Sequence, residues 1–129
     1  MKVFKHIIKT IVFMAIVFSC SKNSEPSQEE EKLELLNLKN EIEQIINSED
    51  CSETTTCEFI AFGSKPCGGA WSYLVYSSNI NVALLKEKVN FYNKLENEYN
   101  IKWNIISDCM AVSPPSNVEC INGKCIAIF

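Results

Sequence analysis

Apolar positions along the chain change their spacing several times, and each change marks an element. Ile11 to Phe18 is an uninterrupted apolar run of eight residues, preceded by Lys2, Lys5 and Lys9. A membrane-spanning helix needs ~20 predominantly apolar residues, so this run reads as the hydrophobic segment of an export signal. Ser21 to Gln28 reads as a solvated tether. Leu35, Leu38, Ile42 and Ile45 then recur at helical spacing, with Leu36 and Ile46 widening the stripe. Ser27 followed by Glu30 matches a capping box, and the acids Glu29, Glu30 and Glu31 suit a first turn. The pattern predicts a helix over about 28–47.

Residues 57–62 form an apolar run that predicts a strand buried on most sides. The stretch from Gly63 to Gly69 is the most turn-rich of the chain, with glycines suited to positive φ and Pro66 fixing the backbone beside Cys67. An aromatic strand follows over 71–77, and the two strands with their loop predict a disulfide-pinned hairpin. Asn79 or Asn81 caps a second helix over about 81–99, whose face is Leu85, Val89, Tyr92, Leu95 and Tyr99, and Asn100 is its expected stop. Ile101 to Val112 is expected to hold one or two short strands before Pro114 and Pro115 break the run. Asn122-Gly123 is the preferred type I′ pair and joins Val118–Ile121 to Lys124–Phe129, setting Cys120 opposite Cys125. The expected order is α-β-β-α-β-β-β. It predicts a small two-layer α+β domain, an antiparallel sheet with two helices, over residues 29–129.

Val17, Ser19 and Cys20 directly after the apolar run sharpen the reading of the N-terminus. The segment 1–20 resembles the precursors of bacterial lipoproteins, although Phe18 is bulkier than the small residue usual there. The resemblance implies removal of residues 1–19 and a diacylglyceryl thioether on Cys20, so that a lipidated cysteine and tether (20–28) precede the domain. Two or more acyl chains anchor stably where one is marginal, each buried CH₂ contributing ~0.8 kcal/mol. Under the enterobacterial sorting rule, an aspartate after the cysteine retains a lipoprotein at the inner membrane. Ser21 stands there instead and implies the outer membrane. The expected location is the bacterial cell envelope, facing the periplasm or the surface, with the lipid bilayer as a partner through acylated Cys20.

With Cys20 set aside, six cysteines remain: Cys51, Cys57, Cys67, Cys109, Cys120 and Cys125. An even number in an exported chain predicts three disulfides, with fifteen connectivities open. No Cys-x-x-Cys pair favours a zinc site, and no metal or other cofactor is expected. Beyond Cys20 the chain carries nine lysines, no arginine and sixteen acids, a formal charge of −7. A basic surface that follows phosphates is not expected, so nucleic acid is excluded as a partner. The sole histidine, His6, lies within the signal. A mature chain without histidine or free thiol excludes Ser-His and Cys-His catalysis and histidine metal ligation.

Two stretches remain as candidate binding sites. Backbone amides near Gly68 and Gly69, with Lys65 beside them, could form an anion-binding nest, although glycines that turn a crowded disulfide corner are the commoner case. The same loop, braced by a disulfide, is an alternative protease-inhibitor loop; Pro66 after Lys65 fits substrate-like recognition poorly. On the aromatic strand, Trp71, Tyr73 and Val75 share one face. Such a row suits a glycan or an envelope or extracellular protein if exposed, whereas aromatics in a small domain more often fill the core. A hydrolase would need a carboxylate pair, and Glu58, Asp108 and Glu119 are unpaired in sequence. The sequence thus points to a lipid-anchored, non-catalytic binding or accessory domain, with no catalytic residue assigned.

Overall fold

The computed structural model describes residues 25–129. Cys20 and the expected export segment over 1–19 lie outside the described residues. Six elements follow in the order α1 (Gln28–Ile46), β1 (Cys57–Phe62), β2 (Ser72–Ser77), α2 (Val82–Lys102), β3 (Asn117–Ile121) and β4 (Lys124–Ile128). The class is α+β, as the sequence predicts.

α1 begins where the capping box places it. The Glu30 amide donates to Ser27 Oγ at 3.3 Å, and the Ser27 amide donates to Glu30 Oε2 at 2.8 Å. Those two bonds satisfy donors that a helix start leaves without partners. The Ser27 amide first, and the Ser27 hydroxyl donating to Glu30 Oε2 at 2.7 Å second, hold the Glu30 carboxyl below the usual range. The predicted stripe is the buried one: Leu35, Leu38 and Ile42 on α1 meet Leu85, Val89 and Tyr92 on α2. The helices run antiparallel, since Glu41 pairs with Lys88 while Glu31 pairs with Lys102.

α2 runs two residues past its expected stop. Asn100 does not end it. That side chain is buried and donates Nδ2 to Ser64 O at 2.7 Å, strapping the helix to the β1–β2 loop. Asn104, at φ +50°, takes the left-handed conformation beyond the end. The strands expected within 101–112 do not form, and residues 105–115 follow an irregular path. Their amides face no strand partner; sulfur and side-chain bonds hold the segment instead.

β1 and β2 pair antiparallel with Ile60 opposite Leu74 and Phe62 opposite Ser72. The face bearing Ile60, Phe62, Leu74 and Tyr76 packs on the helices, and Phe62 stacks on Tyr92 with centroids 4.4 Å apart. β1 is therefore buried on one side only, since Phe59 and Ala61 stay exposed. The Tyr76 hydroxyl donates to Glu58 Oε2, and burial, with that carboxylate, pushes its pKa up to about 12.

β3 and β4 form the expected hairpin, with Asn122 at φ 51° and Gly123 at φ 79° in the turn. They make a second two-stranded sheet rather than extending the first. The expected single sheet is thus two hairpins. Sulfur ties the second hairpin down where ladder hydrogen bonds do not: from directly opposed positions, Cys125 bridges to Cys57 of β1 and Cys120 to Cys51 in the loop before β1, with Cα separations of 5.7 and 5.9 Å. The third bridge, Cys67–Cys109, ties the β1–β2 loop to the irregular segment.

Candidate functional site

The β1–β2 loop is built around Lys65 rather than around an open nest. Lys65 is 5% exposed, and its ammonium donates to Met110 O and to Asp108 Oδ1, the latter at 3.3 Å. It also sits 5.0 Å from the centre of the Trp71 ring, a cation–π distance. Asp108 is held below the usual carboxylate range by the Met110 amide first and by Lys65 second. The Lys65 amide donates to Gly69 O and the Gly68 amide donates to Lys65 O, each at 2.9 Å. The Gly68 amide is thus used by the turn itself, which argues against an anion nest there. Lys65 does not project as an inhibitor side chain would.

Gly63 is a site where only glycine fits. Its φ is +83°, and an added Cβ would stand 2.6 Å from Trp71 Cδ1. Trp71 consequently lies directly over the loop backbone. Its amide donates to Phe62 O at 3.0 Å, just before β2 begins.

The sequence placed Trp71 and Tyr73 together, with the core as their usual use. The structure separates them and buries neither. Tyr73 lies on the side of the first hairpin away from the helices, edge-on to Phe59 at 5.7 Å. Trp71 is 39% exposed and turns towards the helices. The first hairpin puts Leu74 and Tyr76 against them instead, because the strand alternates and Tyr76 is the larger buried side chain on that face.

Trp71 lines an apolar cleft of about 480 Å³. It is lined by Leu33 and Leu36 of α1, Tyr92 and Tyr99 of α2, Trp71 and Ile105. Glu29, Lys32 and Lys39 also line it. Leu33 and Leu36 are more than half exposed. They flank the helical stripe that packs on the core, so the same periodicity that buries Leu35 presents them to the cleft.

Glu96 is the polar group in this cleft that sequence reasoning missed, because its place on a helix removed it from the candidate acids. Its Oε2 accepts the Ser64 amide at 2.5 Å and its Oε1 accepts the Tyr92 hydroxyl at 3.2 Å. Burial raises its pKa above the ordinary carboxylate value, partly offset by those two bonds. Burial, with Glu96 beside it, also pushes the Tyr92 hydroxyl up. Asn93 completes the arrangement: Oδ1 accepts the Gly63 amide at 2.7 Å, and Nδ2 donates to Ala61 O at 3.3 Å. Both Glu96 oxygens are occupied, and its role is to hold the loop that carries Trp71. A spacing signal was present: Asn93, Glu96 and Asn100 recur at three and four residues, a polar stripe beside the apolar one.

The other acids do not converge. Glu58 meets Tyr76 and Lys86, Asp108 meets Lys65, and Glu119 accepts from Asn117. Cys51, Cys57 and Cys125 have sulfurs within 4.8 Å of one another, but each is consumed in a disulfide, and a metal needs the thiolate. Among the described residues no helix is long and apolar enough to cross a membrane. Comparison with protein-family models, with curated proteins and with solved structures finds no match.

Proposed function

We propose that this chain is a lipid-anchored, non-catalytic binding domain of the bacterial envelope, and that the cleft beside Trp71 is its binding surface. The observation that carries the reading is the cleft itself. It combines about 480 Å³ of largely apolar space with an exposed tryptophan and exposed leucines in its lining. Pockets of 300–1,000 Å³ with apolar walls and few polar groups are the usual form of a small-ligand or side-chain site. The engaged oxygens of Glu96 support binding over catalysis. The three disulfides fit an oxidising compartment, and the segment 1–20 supplies the proposed anchor at Cys20.

Two measurements test this. Intact mass of the membrane fraction, with Cys20→Ser as the control, reads the anchor: an unmodified mass and unchanged partition would remove it. Titration with the fluorescent apolar probe anilinonaphthalene sulfonate reads the cleft. Saturable one-site binding should weaken about tenfold, roughly 1.4 kcal/mol, in Trp71→Ala and in Leu36→Asp. Binding that ignores both substitutions would place the site elsewhere.

A further inference from the structure

Four things meet at one end of the molecule: the start of α1, the end of α2, the β1–β2 loop and the irregular segment after α2. Lys102 donates to Glu31 Oε1 at 2.6 Å and to Pro26 O at 3.5 Å, and the Trp103 indole donates to Glu31 Oε2 at 2.6 Å. Cys67–Cys109 and the Lys65 contacts bring the loop and the segment to the same place. This is also where the chain arriving from Cys20 joins the domain. Pro26 stands six positions after Cys20, a reach of ~20 Å at full extension.

That end is apolar beyond what a solvated surface requires. Among the described large apolar side chains, Ile106 (90% exposed), Ile101 (71%) and Met110 (68%) are three of the four most exposed, the other being the terminal Phe129. No core contact explains them. The chain's two tryptophans, Trp71 and Trp103, stand at the same end, each beneath a lysine ammonium at 5.0 and 5.1 Å. Tryptophan with a nearby lysine is the pairing favoured at a membrane–water boundary.

We infer that this end of the domain rests on the lipid surface, with Ile101, Ile106 and Met110 entering the headgroup–acyl boundary. The inference rests on the proposed anchor at Cys20 and deepens that reading by naming the partner of the apolar end. A tether of ~20 Å keeps the domain within one small-domain diameter of the bilayer, so weak apolar contacts act at high effective concentration. Each side chain adds to the anchor by the apolar area it buries. At the start of α1 Glu30 caps the helix, Glu31 is paired with Lys102 and Glu29 stays exposed, and a zwitterionic surface carries no net charge to repel it. Ile105 lines the cleft and Ile106 follows it in the chain, so the cleft adjoins the segment that carries the proposed lipid-facing side chains.

The test uses the lipidated chain in phosphatidylcholine vesicles carrying bromine at shallow or deep acyl positions. Its two tryptophans report directly, since bromine quenches only at close range. Shallow bromine should reduce tryptophan emission by at least half, and deep bromine much less. Ile106→Asp with Met110→Asp should keep vesicle co-sedimentation but lose the quenching. Both side chains are exposed, and near-ultraviolet circular dichroism verifies the fold; Ile101→Asp is an independent second variant. Co-sedimentation with unquenched tryptophan would overturn the inference and leave the anchor standing. Failure to co-sediment would overturn both.

Discussion

The two ends of this domain are both closed by sulfur, yet they are built differently. At the hairpin end two bridges lie side by side, Cys51 is buried, and the turn is held from outside the hairpin: the Cys51 amide donates to Gly123 O and Lys124 pairs with Asp50. At the tether end a single bridge joins two exposed cysteines, and the buried group beside it is a lysine. The closed loops, 69, 68 and 42 residues by sequence separation, are similar in chain-entropy terms. Alone, each corresponds to about 4 kcal/mol. What differs is coupling. Once Cys51–Cys120 exists, Cys57–Cys125 closes a circuit of only about eleven residues, for a further ~3 kcal/mol. The hairpin end therefore concentrates stability, and the tether end distributes it over polar bonds around Lys65.

The largest effect that could break this contrast is loss of the sulfur pair. Replacing Cys51, Cys57, Cys120 and Cys125 together by serine should remove about 7 kcal/mol, within the 5–15 kcal/mol range of whole-domain stability. Urea denaturation should then show no folded baseline at 37 °C. Cys67→Ser with Cys109→Ser should cost at most about 4 kcal/mol and leave a cooperative transition. Equal losses from the two sets would end the distinction. Under limiting dithiol, alkylation and mass analysis should find Cys67 and Cys109 labelled first, because access governs exchange.

A smaller effect sharpens the tether end. Lys65→Met keeps much of the buried stem but removes the donor to Met110 O, so about 1–3 kcal/mol should be lost. Probe binding at the cleft should weaken with it, because Trp71 loses its cation. A stability loss with binding intact would separate Lys65 from the cleft.

The smallest effect is a pH slope. Glu96 has a raised pKa in the fold, so the native state holds its proton more tightly than the unfolded chain does. Its contribution is present below the unfolded value and is lost as pH rises through the folded one. Glu30, Glu31 and Asp108 shift downwards and act oppositely, losing their contribution as pH falls through their lowered values. Glu96→Gln should therefore flatten the decline in stability from about pH 4.5 upwards, read as the pH dependence of the urea midpoint. An unchanged profile would show that Glu96 is not the group responsible.

Much of the local structure was legible because it is set over a few residues. The capping box at Ser27 and Glu30, the stripes of both helices and the Asn122-Gly123 turn each depend on neighbours in sequence. The site was less legible. Trp71 and Lys65 were visible as residue types, but their roles depend on Met110, Asp108 and Glu96, which come from other elements. Asn100 illustrates the error: its type favours a helix stop, and a tertiary bond to Ser64 O overrides that preference.

The sequence by itself determined where helices start, which faces are apolar and that Cys120 stands opposite Cys125, since periodicity and turn chemistry are short-range. Only the tertiary structure decided that those cysteines bridge away from each other, that residues 101–112 form no strand and that Trp71 faces a cleft. The physical reason is the same in each case. A bond between residues 42 to 69 apart depends on which surfaces the packed core leaves adjacent, and no local spacing encodes that.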